Sequence, residues 1–128
     1  MANLLDILGR LFISSVFLFS GYNKIINSNA TISWMEGFNM PDFLLWPAIV
    51  LEILLPIFII IGYKTRISAT ILALFSVATA LIFHLDLANQ MQTIQLLKNF
   101  GLAGGFLFIA IHGPKEWAVE SEKKYVRL

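Results

Sequence analysis

Glu52 lies near the middle of a twenty-residue apolar run, Phe43-Leu-Leu-Trp-Pro-Ala-Ile-Val-Leu-Glu52-Ile-Leu-Leu-Pro56-Ile-Phe-Ile-Ile-Ile-Gly62. At a helical rise of ~1.5 Å per residue, that position is about 14 Å from either end, within the hydrocarbon of a bilayer. An acid at such depth costs about 2.5–3.5 kcal/mol, whereas each Leu, Ile, Phe or Val returns roughly 0.3–0.6 kcal/mol. Fourteen of these surround Glu52, so the segment still inserts, and the carboxylate must find a partner inside the protein. Pro56 adds a second irregularity. It has no N–H, so the carbonyl of Glu52 loses its helical hydrogen bond, and one residue offers a carboxylate and a freed backbone acceptor. Backbone of that kind is tolerated in a membrane where it faces protein or a wet cavity.

Arg10, Ser14, Phe17, Gly21 and Lys24 recur at steps of four, three, four and three, which is one stripe of a helix. Arg10 falls about 9 Å below one surface and Glu52 about 15 Å below the same surface. An extended guanidinium covers most of that difference, which predicts a bidentate Arg10–Glu52 ion pair. Such a pair either registers two helices or tunes the acid for function, and both readings stay open. At the other surface Lys24, His84, Lys98 and Asn99 gather above Glu52, a cation-rimmed funnel with an acid at its base. Lys24, Lys98 and His84 suit hydrogen-bond donation to a carbonyl or an anion, and Glu52 suits proton acceptance.

These groups need helices to hold them. Four apolar stretches, about Leu4–Asn23, Phe43–Gly62, Ile67–Leu85 and Ile94–His112, are each long enough to cross a bilayer. The fold class is therefore all-α: a transmembrane four-helix bundle, up-down-up-down, with a short interfacial helix between spans one and two. The tight turn Gly62-Tyr-Lys-Thr-Arg66 makes spans two and three antiparallel neighbours. The first stretch resembles a signal-peptide core, but no small-residue cleavage site follows it, so it reads as a retained span. Arg10, Lys64, Arg66, Lys115, Lys123, Lys124 and Arg127 share one side, against Lys24 and Lys98 on the other. The positive-inside rule places both termini in the cytoplasm. In the first connection Asn29 caps a short helix bearing Ile32, Met35 and Phe38, ended by Gly37 and Pro41, a lid with Trp34 and Trp46 at headgroup level. Gly101-x-x-x-Gly105 in span four is a helix-packing spacing. Residues 1–114 form the bundle domain, and residues 115–128 read as a cytoplasmic amphipathic tail, an interfacial helix at the inner leaflet.

Composition narrows the chemistry. A mean hydropathy of +0.78, with 58% hydrophobic and 13% charged residues, excludes an ordinary soluble domain. The net charge of +1 gives no basic excess for nucleic acid. Cysteine is absent, which removes thiol relay and iron–sulfur ligation by this chain. The two histidines fall at opposite faces, roughly 25 Å apart on helix rise, so they cannot share a haem. No metal-ligand spacing, phosphate loop or nucleophile elbow is present, and no catalytic residue set is assigned.

The order and spacing of Arg10, Phe19-Ser20-Gly21-x-x-Lys24, Met40-Pro41, Glu52, Gly62-x-x-Thr65-Arg66, His84 and Lys98-Asn99 resemble the DoxX family of small bacterial membrane proteins. The resemblance covers about residues 4–114. It implies a chain similar to the small membrane subunit of a thiosulfate:quinone oxidoreductase, in the inner membrane, with an oxidoreductase partner protein and a quinone as ligand. Under it, Lys24, Glu52, His84, Lys98 and Asn99 are the candidate ligand-binding positions and Arg10 the partner of Glu52. Two other functions fit the same residues. One is a non-enzymatic scaffold or assembly factor. The other is a minimal transporter, which with four spans would need a homo-oligomer and shows no internal duplication.

Overall fold

A computed structural model describes residues 1–120, and the architecture is that of those residues. Within them five α-helices follow one another: α1 (Ala2–Ile26), α2 (Ser28–Glu36), α3 (Leu45–Ile61, entered through a 3₁₀ turn at Asp42–Leu44), α4 (Thr65–Phe83) and α5 (Gln90–His112). α1, α3 with its turn, α4 and α5 are long and apolar enough to cross a membrane, and they form the four-helix bundle the hydropathy predicts. Large apolar side chains such as Phe12, Phe19, Ile67, Leu74, Phe108 and Ile111 point outward from the bundle, as expected where the surrounding solvent is lipid rather than water.

The inner stripe of α1 is as the spacing predicts, with Arg10, Ser14, Phe17 and Gly21 all buried. Phe17 stacks at a tilt on Phe75 and Phe106 of the two far helices, with centroids 6.1 and 5.5 Å away. Together with Ile59, Leu72 and Ala103 it makes the apolar centre. α4 contributes small side chains to its inner face: Ser68, Ala69, Ala73, Ser76 and Ala80 are buried, which lets neighbouring helices approach closely. The Gly101/Gly105 spacing does not work as a paired packing motif. A side chain at Gly101 would meet nothing within 4 Å, whereas one at Gly105 would strike Ile13 Cδ1 of α1 at 2.6 Å.

One end of the bundle is closed by charge and backbone. α3 stops at Gly62 (φ 77°), with Gly62 N–H and Tyr63 N–H donating to Ile59 and Phe58 carbonyls at 3.2 and 2.8 Å. Lys64 (φ 50°) completes the reversal into α4. After α5 the chain folds back as a strap, residues 113–120, whose Val119 and Glu120 N–H groups donate to Ile61 and Gly62 carbonyls at 2.9 and 2.8 Å. Over residues 115–120 this is a bent segment rather than the interfacial helix expected of the tail; the remainder of that prediction, residues 121–128, lies outside the described residues.

The other end carries α2. It begins directly after α1, with Asn27 rather than Asn29 at the N-cap, so Asn29 lies inside the helix. The helix ends at Gly37 as expected. Met35 packs with Leu45 and Ile49 of α3, and Trp34 and Phe38 close on Phe83 of α4 with centroids 6.5 and 5.0 Å away. α5 starts a turn earlier than hydropathy alone predicts, because Asn89 Oδ1 accepts from Met91 N–H (3.0 Å) and Gln92 N–H (3.4 Å) and caps it.

Candidate functional site

Glu52 is paired with Lys24, not with Arg10. Lys24 Nζ lies 2.9 Å from Oε1 and 2.8 Å from Oε2 of Glu52. Ser20 Oγ donates to the same Oε1 at 3.1 Å and accepts from Lys24 Nζ at 2.9 Å. Oε2, though within ion-pair distance, receives no directed hydrogen bond among the described residues. The Glu52 side chain is 2% exposed and that of Lys24 24%. Close helix approach makes the pairing possible. A Cβ on Gly21 would come 2.7 Å from Ile53 Cδ1 and 3.3 Å from Glu52 Cβ, so the missing side chain brings α1 against α3 beside the acid.

The expected Arg10–Glu52 pair fails on register. Gly21 lies beside Glu52, but Arg10 lies beside Gly62, its Nη1 3.3 Å from where a Cβ there would be. Ten residues of α3, about 15 Å of rise, separate Gly62 from Glu52. α1 has 25 residues and α3 has 17, and α1 overhangs at this end, so Arg10 sits far shallower relative to α3 than equal spans imply. Arg10 instead binds Asp6 Oδ2 through Nε at 3.0 Å. Its Nη1 donates to Ile59 and Ile60 carbonyls at 3.0 and 2.7 Å, and its Nη2 to the Trp117 carbonyl at 2.6 Å. A guanidinium thus satisfies the last carbonyls of α3 and the negative end of its dipole. Arg66 does the same for α5, donating to the Ala110 and Ile111 carbonyls.

Beyond the apolar centre, toward α2, the bundle holds a partly open cavity of about 620 Å³. Lys24, Ser20 and Glu52 form one wall, Gln95, Asn99 and Leu102 of α5 another, and Phe75, Thr79 and Phe83 of α4, with His84 just past its end, a third, with Thr31, Trp34 and Met35 of α2 across the top. His84 Nδ1 is 2.7 Å from Gln92 Oε1. Of the predicted site residues, Lys24, Glu52, His84 and Asn99 are brought to one cavity. Lys98 is exposed and does not line it; the turn of α5 that points Asn99 inward points Lys98 out. Residues that sequence reasoning leaves unassigned are Ser20, Gln92 and Gln95. Ser20 is detectable, since it precedes Lys24 by one turn on the same helix. Asp6 carries the same signal for Arg10, four residues before it.

Fold and site together define a small four-span membrane protein with an ion pair set into a pocket in one half of its bundle. The chain belongs to the DoxX family: the family model described as DoxX matches residues 5–85. It is similar to the inner membrane protein YqjF of Escherichia coli (strain K12), 32% identical over 89% of this chain and 88% of that protein. It is also similar to the inner membrane protein YphA of the same strain, 30% identical over 84% and 82%. No solved structure matches significantly.

Proposed function

We propose that this chain is a multi-pass inner-membrane protein with cytoplasmic termini. In this reading it is an accessory subunit of a quinone-linked membrane oxidoreductase system and holds a small redox-active or anionic ligand in the pocket beneath α2. The carrying observation is the Lys24–Glu52–Ser20 cluster at 2.8–3.1 Å on the wall of a 620 Å³ cavity. A buried carboxylate paired with a half-buried ammonium beside empty space, rather than in tight packing, is a feature of binding sites. The location is supported by the names of the two relatives, and the orientation by the basic residues at the strap end of the bundle. The quinone is the ligand class that the family resemblance implies. The oxidoreductase partner would supply the redox chemistry, and this chain the binding site.

A second reading, a scaffold or assembly factor, is favoured by one observation: Arg10 is engaged wholly in holding α1, α3 and the strap together. Purification from native membranes followed by lipid extraction separates the two. Binding predicts a quinone-like or anionic small molecule that co-purifies with the wild type and is lost from Ala48→Phe, which places a ring one helical turn from Glu52 on the same face. No such molecule, together with unchanged redox behaviour in Glu52→Gln, would leave the scaffold.

A further inference from the structure

We infer that the headgroup of the guest is held on α5, by the side-chain amides of Gln95 and Asn99, and that this pair receives a quinone carbonyl and a hydroquinone hydroxyl alike. This rests on the pocket being the ligand site proposed above and names the residues that hold the headgroup there.

The polar side chains of the cavity differ in what they have left to offer. Lys24 Nζ has Ser20 Oγ at 2.9 Å and Glu52 Oε1 and Oε2 at 2.9 and 2.8 Å, so its three N–H groups already face oxygens that the protein supplies. The Ser20 hydroxyl donates to Glu52 Oε1, that of Thr31 to the Asn27 carbonyl and that of Thr79 to the Phe75 carbonyl. His84 holds Gln92 Oε1 with Nδ1 and keeps only Nε2, at the α2 end past the last turn of α4. Gln95 and Asn99 are different. Both line the cavity, both are half-buried, and neither amide has a hydrogen-bond partner among the described residues. They stand four residues apart on α5, so their side chains are neighbours on one face of that helix. An amide without a partner inside a membrane span is costly unless water or a guest completes it.

The choice of amides decides what can be held. An amide offers N–H donors and a carbonyl acceptor, and half a turn about its terminal torsion exchanges them. A quinone carbonyl accepts from the N–H groups; a hydroquinone hydroxyl donates to the oxygen of one amide and accepts from the other. Held instead by the Lys24 ammonium, the guest would bind through an acceptor, which favours the quinone. Glu52 would favour the hydroquinone, but its side chain is 2% exposed and closed to the guest. The ring and chain of either form suit the apolar wall of Phe17, Trp34, Phe75 and Leu102.

Three probes that share one ring and chain test this: decyl-para-benzoquinone, its hydroquinone kept under argon, and decylbenzene, which has no polar group. Each is equilibrated with the protein in phosphatidylcholine nanodiscs, and retention above that of empty nanodiscs is quantified by mass spectrometry. The wild type is expected to retain quinone and hydroquinone within about tenfold of each other, since a charged anchor would separate them by more. Gln95→Leu and Asn99→Leu keep the side-chain size and remove the amide. Each should weaken both forms about threefold or more, the worth of a hydrogen bond between neutral groups, and leave decylbenzene unchanged. A wild-type preference beyond tenfold for either form would overturn the anchor on α5 while leaving the pocket as a ligand site. So would unchanged retention of both forms in both variants, or a loss that decylbenzene shares equally. Retention of neither form by the wild type above empty nanodiscs would overturn the pocket reading with it. The wild-type comparison decides the matter even if a variant does not fold.

Discussion

Two charged residues on one stripe of α1 do different work. Lys24 meets Glu52 at the cavity, where a carboxylate and an ammonium cost less together than either does alone. Arg10 is a keystone: one guanidinium donates to Asp6, to two carbonyls at the end of α3 and to Trp117 in the strap. Only a planar fork with several fixed donors can reach acceptors on three segments. Arg10→Lys is therefore expected to lower unfolding stability in detergent by about 2–4 kcal/mol, since a single ammonium leaves buried carbonyls without donors. Lys98→Met, at an exposed position, should stay within about 0.5 kcal/mol of wild type. Equal losses for the two variants would remove the keystone role. Arg10 shows how such a role escapes notice in a sequence: its spacing from Asp6 is that of an ordinary helical ion pair, while two of its backbone acceptors lie 49 and 107 residues away.

At the scale of elements, the junction of α3, α4 and the strap turns on Gly62. Its φ of 77° suits glycine, and an added Cβ would overlap Ala118. Gly62→Ala is expected to cost about 1–2 kcal/mol from the left-handed backbone alone, with more from the overlap with Ala118, and to release the strap, read as faster proteolysis within residues 113–120. Gly101→Ala, which opens onto free space, should be neutral or slightly stabilising in the same assay, as alanine favours helix. The four spans are legible because uninterrupted hydropathy marks a membrane helix, and the buried stripe of α1 because a period near 3.6 marks its inner face. The strap is not legible: it is held over Gly62 by the Val119 and Glu120 N–H groups donating to the Ile61 and Gly62 carbonyls, bonds that leave no trace in side-chain pattern. The cap position of α2 falls two residues before the expected one, at Asn27 rather than Asn29, and Asn27 makes no side-chain capping hydrogen bond by which the sequence could have marked it.

In the whole molecule, the two ends have separate roles. The strap end is fastened by Arg10 and Arg66 against helix C-termini, and the α2 end holds the cavity. Sequence position alone brings Lys24, Glu52, His84 and Asn99 to one place, because three of them lie near the same end of their spans and Glu52 faces that end from mid-span. It mis-pairs Glu52 because depth along one helix says nothing about how far another overhangs it, and α1 exceeds α3 by eight residues (25 against 17). Lys24, and not Arg10, balances Glu52. Double-mutant cycles on unfolding stability in detergent test it most directly, one with Lys24→Met and Glu52→Gln, the other with Arg10→Met and Glu52→Gln. The structure predicts a coupling of about 1–3 kcal/mol in the first cycle and less than about 0.5 kcal/mol in the second. Coupling between Arg10 and Glu52, with none between Lys24 and Glu52, would contradict it.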